Sequence, residues 1–247
     1  MDLGIQGRTA LVCGASRGLG MACAQALAAE GVRITLVARN AKTLEQAASR
    51  IGGSTGTKPA FVAADVATQS GREGIRDSMA EADILVANAG GPATKDFTEL
   101  SIGDWEAALH ANFLAAVEMI RTYVPGMRQR GFGRIVNITS MTVRMPIESL
   151  DLSTSARMAL TGYVAGVARQ VARDGVTINN LLPGTVMTDR IAELGATADV
   201  LVARVPMGRA GKPEEFGAAC AFLCSEQAAF ITGQNLLLDG GLCALTV

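Results

Sequence analysis

In 247 residues the chain has one histidine, His110, and two tyrosines, Tyr123 and Tyr163. A single imidazole excludes mechanisms built on two histidines and argues against most zinc sites, whose ligands come from sets of histidine and cysteine. No metal ligands are expected. Charge is sparse as well: 18% of residues are Asp, Glu, Lys or Arg, below the roughly 25% of an average soluble domain. That shortage predicts apolar faces covered by other subunits. A formal net charge of −1 offers no basic surface to nucleic acid or to an anionic membrane. The five cysteines (Cys13, Cys23, Cys220, Cys224 and Cys243) are odd in number and form no CxxC pair, which fits a reduced set rather than a disulfide framework. Cys220 and Cys224, one helical turn apart with no histidine near them, read as small buried hydrophobes. No apolar run approaches the roughly 18 residues of a membrane span. The opening MDLGIQGRTALVCG starts acidic and lacks the long apolar stretch of a secretion signal, so a cytoplasmic location is expected.

Glycine, by contrast, is abundant at 28 residues, and 49% of the chain is hydrophobic. Apolar runs of strand length alternate with stretches of helical spacing. Strands are expected at 8–13, 32–38, 60–63, 83–87, 134–139, 176–182 and 235–238. Helices are expected at 18–30, 41–51, 70–80, 104–129, 153–173 and 213–225. Short apolar strands between helices are buried on both faces. The pattern therefore predicts an α/β domain of Rossmann type, a doubly wound parallel sheet of seven strands between two helix layers. With no internal repeat, low-complexity segment or linker, residues 1–247 are expected to form one domain. The longest irregular segments are 52–58, 140–152 and 188–210. The last two follow strand C-termini, where open α/β sheets place their ligands. Segment 188–210 reads as a lid over a small-molecule site, with an oligomer-contact loop as the plainer alternative.

Between the first strand and the first helix lies Gly14-Ala15-Ser16-Arg17-Gly18-Leu19-Gly20. Glycines at 14, 18 and 20 permit a tight turn and a close backbone approach to a phosphate at the helix N-terminus. The GxxxGxG spacing differs from the GxGxxG of ordinary dinucleotide folds. With this motif the sequence resembles the short-chain dehydrogenase/reductase family, and the likeness extends from about residue 6 to 241. Cys13 replaces the family's threonine before the first glycine. Further matches are Asp65-Val66, Asn88-Ala89-Gly90 after the fourth strand, Asn112 in the long helix and Ser140 after the fifth strand. Pro183-Gly184 with Thr188 matches the nicotinamide loop, and Asp239-Gly240-Gly241 lies near the chain end. The stretches GASRGLG and FITGQNLLLDGG resemble the 3-oxoacyl-carrier-protein-reductase-like subgroup.

The resemblance implies a dinucleotide held by Gly14, Ser16, Arg17, Gly18, Leu19 and Gly20, with Asp65, Val66, Asn88, Ala89, Gly90, Pro183, Gly184 and Thr188 around it. The second strand ends Val37-Ala38-Arg39-Asn40 without a carboxylate for a ribose 2′-hydroxyl. Arg39 and Arg17 can flank a 2′-phosphate instead, so NADP(H) is the expected cofactor. The plainer reading is two solvated arginines.

The family's chemistry uses a Tyr-xxx-Lys pair one helical turn apart, the lysine tuning the tyrosine as acid and base. Counting thirteen positions on from Ser140 reaches Ser153, and four more reach Arg157. Ala159-Leu160-Thr161-Gly162, Asn179 and Pro183-Gly184 then fall in register, so the pair here is Ser153-xxx-Arg157. Arginine stays protonated, and serine ionises far above a tyrosine's roughly pH 10. Tyr163 lies about 15 Å further along the same helix, and Tyr123 near the end of the preceding one. Three readings stay open. In the first, the protein is a carbonyl reductase acting on a ketone or 3-oxoacyl group. Asn112, Ser140 and Ser153 would serve the carbonyl, and Arg157, which also holds the cofactor, or Arg144 would stabilise the alkoxide. In the second it binds NADP(H) without turnover, as a sensor or as the partner of an active paralogue. In the third the scaffold performs a changed reaction. Asp151 reads as a solvated carboxylate, and His110 as a surface or interface residue. Met141, Met145, Met187 and Met207 suit a soft apolar substrate pocket or ordinary core filling. The resemblance also implies a homodimer or homotetramer packed through the helices at 104–129 and 153–173.

Overall fold

A computed structural model of the chain describes residues 2–244. Strands β1 (Thr9–Cys13), β2 (Arg33–Ala38), β3 (Ala60–Ala63), β4 (Ile84–Ala87), β5 (Gly133–Ile138), β6 (Val176–Pro183) and β7 (Asn235–Leu238) pair in the order β3-β2-β1-β4-β5-β6-β7. Every pairing is parallel. The chain winds outward from β1 to β3, returns to place β4 beside β1, and winds outward again. The reversal opens a crevice beyond the C-terminal ends of β1 and β4.

Side chains alternate across each strand, so β1 serves two cores. Ala10 and Val12 join the core under helices α1 (Gly18–Ala29), α2 (Ala41–Thr55) and the later Pro213–Leu223 helix. Leu11 and Cys13 join the opposite core with Met119 and Leu160. Burial on both faces is why TALVC is continuously apolar. The remaining helices are α3 (Gln69–Ser78), α4 (Ile102–Leu109), α5 (Ala115–Arg130), α6 (Asp151–Val171), α7 (Asp189–Ala192), α8 (Ala196–Ala203) and α9 (Pro213–Leu223). Among the described residues no helix is long and apolar enough to cross a membrane.

Three boundaries depart from the sequence pattern. The helix expected at 41–51 continues to Thr55 and ends at Gly56 with φ 77°, so most of segment 52–58 is helical. Its Ser54 and Thr55 hydroxyls both donate to the Ile51 carbonyl, and the left-handed glycine closes the turn. The helix expected at 104–129 is interrupted by a π-helical turn, His110–Leu114, between α4 and α5. Segment 188–210 holds α7 and α8 rather than irregular chain.

An amide ladder ties together the strands that carry the later site residues. Asn137, Asn180 and Asn235 are direct partners on β5, β6 and β7. Asn137 Nδ2 donates to Asn180 Oδ1 at 3.1 Å, and Asn180 Nδ2 to Asn235 Oδ1 at 2.7 Å. Asn180 is almost fully buried, so its loss would remove two bonds of the ladder and leave the fully buried Asn137 amide only the longer contact to the Asn179 carbonyl. Asn180→Ala is expected to lower unfolding stability by about 1–3 kcal/mol, measured as a shift of the denaturant midpoint. An unshifted midpoint would show that the ladder contributes nothing.

Candidate active site

β1 delivers the chain into the glycine loop, where Gly14 and Gly18 both have φ of 60°. A β-carbon on Gly20 would overlap the Gly14 carbonyl oxygen, so the first turn of α1 presses directly on the loop. No side chain caps α1 at Arg17, and its leading N–H groups face the crevice free of intrahelical partners. Asn88, just past β4, donates from Nδ2 to the Gly14 carbonyl at 3.3 Å and so fastens the two central strands at the reversal point. Its backbone N–H donates to the Cys13 sulfur; burial dominates there and pushes the thiol up to about 12, so Cys13 is a packing group and no nucleophile.

The surrounding residues of the sequence pattern converge on this crevice. Cys13, Val66, Asn88, Asn112, Ile138 and Arg157 line one cavity, and Ala89 also borders it. The Asp65 carboxylate accepts from the Ala67 N–H at 2.9 Å and shapes the bend that presents Val66. A β-carbon on Gly90 would meet nothing within 4 Å. Ser16 and Leu19 are half-buried in the loop, while Arg17 and Arg39 are exposed. Arg17 lies 3.7 Å from the Glu193 carboxylate; Arg39 has no ion pair among the described residues.

Arg157 is the charged centre of the cavity. It is 8% exposed, with Nε donating to Ser153 Oγ at 3.1 Å and Nη1 to the Ile138 carbonyl at 2.6 Å. One turn of α6 brings Ser153 beneath it. Burial first, and then the charge of Arg190, bring its pKa down to about 10, which leaves it a cation at neutral pH. Asn112 sits inside the π-helical turn, 4% exposed. Its Nδ2 donates to the Ala108 carbonyl at 3.4 Å, and its Oδ1 has no partner. A buried amide oxygen left in this state is an open acceptor position. Ser140 follows β5, and its Oγ accepts from the Thr142 N–H and hydroxyl at 3.1 and 3.0 Å. Its own hydroxyl hydrogen remains available.

The segment after β6 lies against the crevice. A β-carbon on Gly184 would lie 2.6 Å from Asp239 Cα, so the Pro183-Gly184 turn is held against the segment after β7. Thr188 precedes α7 and lies 3.7 Å from the β-carbon position of Gly18. Arg190 extends onto Gly91, where a β-carbon would strike its Nη1. The sequence reading omitted Arg190 and Gly91. The available signal was a cation two residues beyond Thr188 in a segment already read as a lid.

Other candidates lie elsewhere. Arg144 is exposed and acts electrostatically on Cys243, in the segment after β7, rather than lining the cavity. Asp151 opens α6 and makes no ion pair with Arg144 or Arg157. Tyr123 donates its hydroxyl to the Met79 carbonyl at 2.8 Å, and Tyr163 packs edge-on against Phe113. Neither ring lines the cavity. His110 is exposed. Met141 is buried, whereas Met207 borders a second cavity beside Arg209 and Glu215, so the four methionines do not form one pocket. Cys220 and Cys224 are fully buried in the core shared by α1 and α9. Among the described residues no group of three or more metal-ligating side chains occurs.

Comparisons with known proteins place the fold and the sequence. Residues 14–243 match a family model described as enoyl-(acyl carrier protein) reductase. The chain is 32% identical over 241 residues to acetoacetyl-CoA reductase of Cupriavidus necator, covering 95% of this chain and 98% of that one. It is 31% identical over 241 residues to the 3-oxoacyl-(acyl-carrier-protein) reductase of Escherichia coli, covering 97% and 99%. Among solved structures it is similar to L-sorbose reductase from Gluconobacter frateurii in complex with NADPH and L-sorbose, with TM-score 0.92, 33% identity and coverage of 99% and 100%. By fold and by sequence over nearly its whole length, the chain belongs to the short-chain dehydrogenase/reductase family.

Proposed function

We propose that the protein is an NADP(H)-dependent oxidoreductase that acts on a ketone or 3-oxoacyl-type carbonyl through an unusual Ser153-xxx-Arg157 pair. The observation that carries this reading is Arg157 itself. It is a buried guanidinium held at the end of β5 by Ile138 and Ser153, with N–H groups left over on the wall of the crevice. The close glycine cradle and the open acceptor of Asn112 support a bound dinucleotide there. Arg39 and Arg17 at its adenosine end suit a 2′-phosphate. Asp65, Val66 and the Asn88-Ala89-Gly90 turn would border the adenosine, and Pro183, Gly184 and Thr188 the nicotinamide. The bound cofactor supplies or accepts a hydride.

The residues of the chain do the rest. Ser140 and Ser153 donate hydroxyl hydrogens to the substrate oxygen, and Arg157 stabilises the negative charge that develops on it. Water supplies the proton, since neither tyrosine lines the cavity. The second reading, a silent NADP(H)-binding subunit, is favoured by that same displacement of both tyrosines. Exposed Ile102, Leu114 and Met158 on α4, the π-turn and α6 support a dimer or tetramer built on these helices. Light scattering of the purified chain is expected to give a mass of two or four chains, and a monomer would reject this assembly.

NADPH is expected to bind at least about tenfold more tightly than NADH, with Arg39→Ala removing most of the difference in a fluorescence titration. Tighter NADH binding would sink the phosphate role of Arg39 and Arg17. In an NADPH-oxidation assay over ketones and 3-oxo esters, Arg157→Ala is expected to lower kcat/KM by about a hundredfold or more. Full activity in that variant would remove Arg157 from the chemistry. No turnover in the natural chain, with activity gained in Ser153→Tyr/Arg157→Lys, would establish the silent reading. Because Arg157 loses its charge only as pH rises through about 10, the reduction rate at saturating substrates is expected to stay level from neutral pH and fall near that value. A fall centred well below it would point to a different group.

A further inference from the structure

We propose that Arg190 and Arg157 together form an anion site that takes a carboxylate carried by the substrate, making the preferred substrate a free oxo acid. This rests on the reductase reading above and narrows its substrate class. The lid brings Arg190 onto Gly91, just past β4, while Arg157 is bonded to Ile138 at the end of the neighbouring β5. Neither guanidinium has a carboxylate oxygen within 4.0 Å among the described residues, although eight other ion pairs occur there. Arg157 is more than nine-tenths buried, and its Nη2 has no hydrogen-bond partner among those residues. Two cations anchored beyond the ends of the adjacent strands β4 and β5, one of them buried and neither paired with a carboxylate, form an arrangement that an anion between them would stabilise.

The position of the pair separates this anion from a cofactor phosphate. Neighbouring strands lie about 4.8 Å apart, and the glycine loop belongs to β1. A group shared by Arg157 and Arg190 lies over β4 and β5, displaced from that loop toward Ser140 and Ser153. A carboxylate offers two planar oxygens that match guanidinium donors from either side. Held there, it would set the neighbouring carbonyl carbon beside the two serine hydroxyls. Arg190 is exposed on α7, where an incoming carboxylate can reach it.

The test is NADPH oxidation with short 2-oxo and 3-oxo acids, each paired with its methyl ester. Acids are expected to exceed their esters in kcat/KM by at least about tenfold. Arg190→Ala should cost the acids about tenfold or more, leave the esters within about threefold, and leave NADPH affinity within about threefold. A tenfold loss of NADPH affinity, with acids and esters falling together, would give Arg190 to the cofactor diphosphate and overturn the proposal. If the natural chain turns over no substrate, the reductase reading fails separately. The anion site is then decided by calorimetric titration of the NADP+-loaded protein with butanoate against butanamide. Selective butanoate binding that Arg190→Ala abolishes upholds the site, and absent or unselective binding rejects it.

Discussion

A guanidinium buried without a carboxylate beside it constrains the centre of this molecule. Taking an ion out of water costs several kcal/mol even after the surroundings relax, so Arg157 persists only because neutral groups receive it. Those groups are the Ile138 carbonyl and the Ser153 hydroxyl. The carbonyl is free for this purpose because β5 ends there and no neighbouring strand claims it. The end of β5, the first turns of α6 and the cavity wall are thus one electrostatic arrangement.

That arrangement is placed by the reversal of the sheet. Asn88 bonds the end of β4 to the Gly14 carbonyl, and Gly20 lets α1 approach the same carbonyl at contact distance. The glycine loop and the charged cavity therefore share one crevice with little freedom to separate. The π-helical turn contributes from the side, turning Asn112 into the crevice between α4 and α5. The segment after β6 touches both halves, with Thr188 beside Gly18 and Arg190 on Gly91.

Much of the scaffold was legible in the residue pattern because its cause is local. Alternation along TALVC and RITLVA fills two cores at once, and seven such runs separated by helices admit few arrangements other than a doubly wound sheet. Gly14, Gly18 and Gly20 declared a close approach, and the likeness to the family singled out Ser153 and Arg157 by their register with Ser140. The break at His110–Leu114 was not legible, since a π-turn adds a residue to a helix without changing its composition. The methionines misled for a related reason. Met141, Met145, Met187 and Met207 cluster in sequence near two loops, yet the fold sends Met141 inward and Met207 to another cavity.

Composition and spacing determined the element order and the sheet class, because hydrophobic period and backbone freedom at glycine act over a few positions. Where those residues point was settled by packing across long separations in the chain. Arg157 reaches a carbonyl nineteen residues before it, Tyr123 loses its hydroxyl to Met79, and Arg190 meets Gly91 only when the lid lies on the sheet. Such contacts depend on which strand neighbours which, and no local pattern encodes that distance.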